Sequence, residues 1–540
     1  MVFSVKNFCI ILFCAITLCG CDNPVLPVEQ AAVKQELLIG NSADPETLDP
    51  SLATGLSETK ILRALFEGLV RADQKTLEVK PAVAKRWSVS DDGLIYTFYL
   101  DERAKWSDGT ELKASDFVFS FCRSLTPTIS AEYASLLFHI KNAKKIHSGV
   151  EKDFSKLGAK AIAKHILQIE LEKPCPYFLS LLYHTVYFPL PQHTLEKFGA
   201  DKFPNAVWTK PQNIVSNGAF KLVSWQINNK VRVVRNKFFR EPSAVKLNAI
   251  EFYPITNINT EDRAFRAGQL HLTDSITAHR IASIQKNFSQ NFRSDKWLGV
   301  YYYTFNTREK PFDNPKFRKA LSLAIDRQAI INSFLKAKQT PAFAFVPDGC
   351  GGMKTSSKIE TSQNIAKAKE LLAQAGYPEG KGLPKIKITY NVSEQHKPIA
   401  EAIQQMWETH LGVEAELYNL SWPAYLSARR NKDFQVARAS WVGDFAEPET
   451  FLEIFSKESA LNHSGWMNEK FDTLLSKAKN AKTKSERLNY LSQAEEILID
   501  NAPIMPIYFY SKVYQILPMV KNWHSNLLDY HDYHGVYLEQ

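Results

Sequence analysis

Val300-Tyr301-Tyr302-Tyr303-Thr304-Phe305, then Asn314-Pro315, then Lys319-Ala320-Leu321-Ser322-Leu323-Ala324-Ile325-Asp326-Arg327, mark the point where this 540-residue chain changes character. The first run is aromatic and strand-like. Asn314 and Pro315 are an opening for a helix, and the apolar spacing after them predicts one over 316–336. A second helix is expected over 362–375, stopped by Gly376 and Pro378. A strand over 385–390 and a helix over 396–410 come next. Such alternation predicts an α/β lobe in the second half of the chain. The tail, 506–516, is strand-like again and can return to the first half.

Upstream the same two periods alternate. The run Leu37-Leu38-Ile39-Gly40 predicts a first strand, and Thr59 to Val70 has helical spacing. Leu94 to Leu100 follows an Asp92-Gly93 turn signal and alternates as a strand does. Ser115 can cap a helix starting at Asp116 that carries Phe117, Phe119, Phe121 and Leu125. Two segments, 218–223 and 231–234, suit paired strands. The composition is 45% hydrophobic, 12% aromatic and 23% charged, so a large core is available and no internal repeat interrupts it.

The amino terminus points outside the cytoplasm. Lys6 is its only charge, an apolar run extends from Phe8 to Leu18, and Leu18-Cys19-Gly20-Cys21 closes it. The run is shorter than the roughly 20 residues a bilayer requires, and the pattern is that of a secretory signal peptide over 1–20. The closing residues resemble a bacterial lipobox, which makes Cys21 the expected lipidation site and 21–36 a tether. Asp22 resembles the mark that retains lipoproteins at the inner membrane. The expected place is therefore the periplasmic face of that membrane, or the outer face of a cell without a second membrane.

Several functions lose ground. The 66 basic and 57 acidic residues are scattered, with no concentrated patch for nucleic acid. Of seven cysteines only Cys122, Cys175 and Cys350 lie beyond Cys21, without zinc-like spacing, and any disulfide among them stays open. No nucleophile elbow, phosphate loop, zinc-protease motif or dinucleotide fingerprint occurs. Asp529, His531, Asp532 and His534 are the best metal candidates, but polar side chains on a surface loop explain them more cheaply. No enzyme activity, cofactor or metal is expected.

Three stretches carry a family resemblance. A-K-R-W-S-V-S-D-D-G-L-I-Y-T-F-Y-L-D-E-R-A-K-W-S-D-G-T-E-L-K-A-S-D-F-V-F-S-F runs from Ala84 to Phe121. Y-Y-Y-T-F-N from Tyr301, K-P-F from Lys310 and K-A-L-S-L-A-I-D-R from Lys319 form the second. V-A-R-A-S-W-V-G-D-F-A-E-P from Val436 to Pro448 is the third. They resemble the family 5 solute-binding proteins of ABC importers, the oligopeptide-binding proteins above all, over nearly all of 37–540. The resemblance implies a two-lobed, periplasmic-binding-protein-like α/β fold (type II, cluster C) with an extra domain. Lobe I is expected over 37–62, 195–297 and 512–540, the inserted domain over 63–194 and lobe III over 298–511.

It also implies a site. A peptide held as an added strand is gripped through its backbone, which any sequence can supply. Asp444 is the expected partner of the peptide's ammonium, and Arg438 of its carboxylate, with His396 serving a slightly longer peptide. Arginine suits a carboxylate because its planar fork bonds it bidentately. Trp441, Trp422, Arg429, Tyr133 and Tyr510 are expected pocket walls. Ser42, Ala43, Asp44, Ser440 and Val442 are expected backbone contacts, with Asp44 near the peptide's amino end. Val442 and Gly299 stand where close relatives carry a cysteine pair, so that disulfide is absent. The expected partners are short peptides, an inner-membrane ABC permease with its ATPase subunits, and the membrane through a lipid anchor; the chain is expected to be a monomer. A muropeptide, nickel chelate, haem or opine on the same fold, an exported peptide hydrolase and a chaperone-like lipoprotein remain the alternatives.

Overall fold

A computed structural model of the protein describes residues 25–335, 339–360, 362–392, 396–443, 445–457, 459 and 461–539. The expected signal peptide, Cys21 and Asp444 lie outside them. The chain enters through α1 (Pro27–Val33) and strand β1 (Glu36–Gly40). It leaves to build an antiparallel sheet from β2 (Ala84–Val89), β3 (Ile95–Leu100), β4 (Ala159–Ala163) and β5 (Ile166–Glu170), ordered β2-β3-β5-β4. It returns with β6 (Phe220–Gln226), β7 (Lys230–Arg235) and β8 (Ala249–Tyr253), giving β1-β8-β7-β6, in which β1 and β8 run parallel.

After α2 (Ile258–Arg266), the long strand β9 (Phe292–Phe305) carries the chain into a second lobe. There β10 (Ile386–Asn391), α3 (His396–Leu411), β11 (Ala415–Leu420), α4 (Trp422–Asn431) and β12 (Val436–Val442) alternate, and β13 (Ile504–Gln515) runs back. The sheet order is 340–341, β13, β9, β12, β10, β11. Tyr301 and Tyr303 enter a core with Ile388, Ile403 and Trp407, whereas Val300 and Tyr302 enter another with Phe345 and Leu491. From Leu298 to Phe305 both faces of β9 are thus covered, which is why the strand runs apolar from Trp297 to Tyr303 while its first half keeps Arg293, Asp295 and Lys296.

β9 and β13 pair with each other from Phe292 opposite Gln515 to Thr304 opposite Ile504. Between those ends Lys296 lies opposite Ser511 and Val300 opposite Phe509. Trp297, Leu298 and Gly299 therefore bulge against Tyr510 alone. A bulge bends and twists its strand, so the two ends of this ribbon serve different lobes.

Several local expectations need correction. The helix expected over 316–336 is Pro315–Leu323, broken before Arg327–Ile330, because Asp326 caps a new start by accepting from Ala329 N (2.9 Å). The break turns the Arg327 guanidinium inward onto the carbonyls of Ala342 (2.9 Å) and Pro506 (2.7 Å). Helix Ala114–Leu125 starts before Ser115, and Asp116 caps it by accepting from Lys113 N (2.8 Å). The helix expected over 59–70 is Leu56–Leu65.

The four metal candidates are not surface residues. His531, Asp532 and His534 are buried, and partners occupy the set: Asp529 holds Lys512 (3.3 Å) and His531 (3.0 Å), Asp532 holds Gln74 (2.5 Å), and His534 meets Arg71 (2.6 Å). Among the described residues no cluster of three acids, histidines or cysteines is placed to hold a metal. Cys122, Cys175 and Cys350 are free thiols.

Candidate functional site

The site is built at the carboxyl ends of β10 and β12, which run parallel to each other within a mixed sheet. β12 pairs along its whole length with β9, from Gly299 opposite Val442 to Phe305 opposite Val436. On its other side it meets β10 only at Ile388–Val436 and Thr389–Ala437. Beyond Ala437 the strands part, and residues 438–442 keep one edge without a strand beside it. An open edge of this kind is a template for an added strand.

Alternation sorts the side chains on that edge. Arg438, Ser440 and Val442 share one face, and Ala439 and Trp441 the other. Arg438 is 7% exposed. Its Nη1 donates to Asn391 Oδ1 (3.5 Å) and its Nη2 to the Tyr510 hydroxyl (3.4 Å), both at the long limit of a hydrogen bond. Its Nε has no hydrogen-bond partner among the described residues, and its Cζ lies 4.8 Å from the Tyr301 ring centroid. Burial opposes the charge, but the hydroxyls of Tyr301, Tyr510, Tyr425 and Tyr508 outweigh it and hold the guanidinium above its ordinary value. Among the described residues no carboxylate pairs with it. A buried cation with stretched contacts and an idle donor is unfinished; a carboxylate would complete it.

The surroundings are aromatic. Tyr301 stacks on Tyr508 at 4.8 Å, and Tyr510 meets Tyr508 edge-on at 5.3 Å and Trp297 at 5.8 Å. The Tyr301 hydroxyl lies 3.3 Å from His396 Nδ1 at the start of α3. Burial, then the Arg438 cation, push the His396 imidazole down to about 4, so it is neutral at pH 7. Gly299 allows this packing: a Cβ there would lie 2.8 Å from the Tyr510 ring.

Of the residues expected from sequence, Arg438, His396, Tyr510, Ser440 and Val442 therefore come together. Trp441 does not join them. It points to the opposite face of β12, against the core of Val300 and Tyr302, with its indole N–H buried and unpartnered. Arg429 reaches the His463 ring (3.0 Å), and Tyr133 packs against the His184 ring at 4.5 Å. Trp422 opens α4. Asp44 accepts from Trp225 Nε1 (2.9 Å) and Asn228 N (2.5 Å), so it ties the loop after β1 to the β6–β7 hairpin. Ser42, at φ +48°, shares a hydrogen bond with Ser57 (3.1 Å). Sequence reasoning missed Asn391, Tyr301 and Tyr508. The tyrosines had a signal, since Tyr301 with Tyr303 and Tyr508 with Tyr510 repeat at the strand period.

Just past this edge, Tyr177 meets residues 445–453. Tyr177 stacks on Phe445 with centroids 5.2 Å apart, and its hydroxyl donates to Glu453 (3.3 Å). Arg487 holds Glu447 and Glu449, each at 2.6 Å, beneath that ring.

Comparison with known proteins shows the family and the fold. The profile of the bacterial extracellular solute-binding proteins, family 5 (middle), matches residues 78–462. The chain is 36% identical to the periplasmic murein peptide-binding protein MppA of Escherichia coli K12, over 92% of this chain and 91% of that one. It is 34% identical to the periplasmic oligopeptide-binding protein OppA of Salmonella typhimurium LT2, over 91% and 90%. Among solved structures, the unliganded open form of the murein tripeptide-binding protein MppA superposes with a TM-score of 0.80 at 35% identity, covering 95% of this chain and 98% of that one.

Proposed function

The chain belongs to the family 5 bacterial extracellular solute-binding proteins, and we propose that it captures short peptides between its two lobes and delivers them to an ABC permease. The observation that carries this reading is the buried Arg438, without a carboxylate partner among the described residues, at the start of a five-residue open strand edge. The edge supplies main-chain hydrogen bonds that any peptide can answer, and Arg438 supplies a fixed point for the terminal carboxylate. Asp444, six residues on, is assigned the peptide's ammonium on the strength of the family motif. His396 stands beside Arg438 for a longer guest. The relatives are solute-binding proteins, and the role is capture and release without a chemical step.

The lobe division at the β9 and β13 ribbon, the inserted domain over 63–194, the monomeric state and the ATPase-driven permease belong to the same proposal. So does lipidation at Cys21, which holds the protein at the periplasmic face of the inner membrane or at the outer face of a cell lacking an outer membrane. A murein peptide is the second reading. It offers the same amide backbone and free carboxylate, and one relative carries that name.

Calorimetry tests the core of the reading. A tripeptide with a free carboxylate should bind, and its carboxyl-terminal amide should bind far more weakly. Equal affinity for the two removes Arg438 from the proposed role. Mass spectrometry of ligand co-purified from the native cell separates a free peptide from a murein peptide.

A further inference from the structure

The first described helix holds information about how the protein sits in the cell. α1 is fastened to the first lobe at its first turn. Val28 N donates to Gly268 O (3.0 Å), and Val28 O accepts from His271 Nε2 (3.1 Å). His271 Nδ1 in turn accepts from Leu38 N (3.0 Å), so one neutral imidazole ties α1 to β1; burial pushes it down to about 4, and it stays neutral. Val28, Ala31 and Ala32 are buried. Leu26 packs on Gly268, where a Cβ would lie 2.9 Å from it. The chain is therefore fixed from Leu26 onward.

Only four residues separate Leu26 from Cys21. Fully extended, that stretch spans at most about 18 Å, and part of the reach is used within the headgroup layer. An anchor this short cannot let the first lobe wander from the bilayer. The surface beside Leu26 has a matching character. Val25 (56%), Leu26 (42%) and Val33 (68%) are exposed apolar residues. Arg263 and Arg266, on the last turn of α2 just before Gly268, are exposed, as is Lys34 after α1. Arg266 also pairs with Asp262 (3.1 Å), and the one acid on α1, Glu29, bonds Leu26 N (3.0 Å).

We infer that the first-lobe face formed by α1 and the end of α2 rests on the phospholipid surface, with Val25 and Leu26 at the headgroups and Arg263, Arg266 and Lys34 meeting their phosphates. The inference rests on the lipid anchor proposed above. It gives the protein a fixed side facing the membrane, so a permease in that membrane meets the lobes in one orientation.

The test uses the full acylated chain in vesicles of phosphatidylethanolamine and phosphatidylglycerol that carry a nitroxide-headgroup lipid. A fluorophore is placed at Gln269→Cys beside Leu26, or at Met467→Cys in the second lobe; both positions are exposed. Quenching should be several-fold stronger at 269 than at 467. Equal quenching, or stronger quenching at 467, overturns the orientation. Detergent phase partition of the unlabelled protein and of Cys21→Ser separates the other failure: if the parent chain stays in the aqueous phase, the anchor itself is absent and the membrane face goes with it.

Discussion

Replacing Arg438 by methionine separates binding from folding with opposite signs. In the free protein the guanidinium is buried, its hydrogen bonds are 3.4 and 3.5 Å long, and Nε is idle. Its removal takes away a poorly compensated charge, and such replacements by an apolar side chain are often neutral or stabilising. The melting temperature of Arg438→Met should therefore hold or rise. In the loaded protein the same change leaves a carboxylate enclosed without its partner, which costs about 3–5 kcal/mol. At about 1.4 kcal/mol per tenfold, the Kd for a free-carboxylate tripeptide should rise by roughly two to three and a half decades. The carboxyl-terminal amide of that peptide closes a double-mutant cycle: it should lose affinity for the parent protein and little more for the variant. Titration calorimetry and thermal melts read both arms. A variant that melts lower and binds unchanged would show that Arg438 supports the fold and not the guest.

Other outcomes follow from neighbouring contacts. Gly299→Ala places a Cβ 2.8 Å from the Tyr510 ring; peptide affinity should fall as that ring moves, and an unchanged Kd would remove Tyr510 from the site. The His396 imidazole, held near 4 by burial and by Arg438, should titrate higher once a carboxylate neutralises the guanidinium; NMR with and without peptide shows the direction, and a lower value would contradict the placement. Tyr177→Ala removes the stack on Phe445, a contact of about 0.5–1.5 kcal/mol, and should weaken peptide binding by no more than about tenfold; a larger loss, or none, would deny that the stack helps hold the inserted domain against the second lobe.

Stability should also depend on pH. Burial pushes the Glu495, Glu449 and Glu261 carboxyls up to about 7 from an ordinary 4.5. Between those values the folded chain keeps protons that the unfolded chain releases, so stability falls as pH rises through that window and levels off above about 7. Glu495→Gln should flatten part of the slope in urea midpoints, and an unaltered slope would clear Glu495 of any share in it.

The parts of the fold set by local period were legible in the sequence. The alternation from Leu94 to Leu100 became β3, 218–223 and 231–234 became a paired hairpin, and the aromatic run at 300 became the central strand of the second lobe. Gly299 and Val442, read as the substitutes for a cysteine pair, are direct partners across two strands. What failed depended on partners far along the chain. The break before Arg327 serves carbonyls at 342 and 506. Asp529 was taken for surface because Lys512 and Lys60 arrive from other elements. Trp441 and Arg438 look like neighbours in sequence, yet a strand sends residues three apart to opposite faces.

A crystal structure of the protein loaded with a tripeptide tests the central claim most directly. The peptide main chain should lie along residues 438–442 on the side that β10 leaves open, with its carboxylate in hydrogen-bond contact with the Arg438 guanidinium. A peptide seated elsewhere, or a carboxylate turned to solvent while Arg438 keeps only Asn391 and Tyr510, would contradict the account.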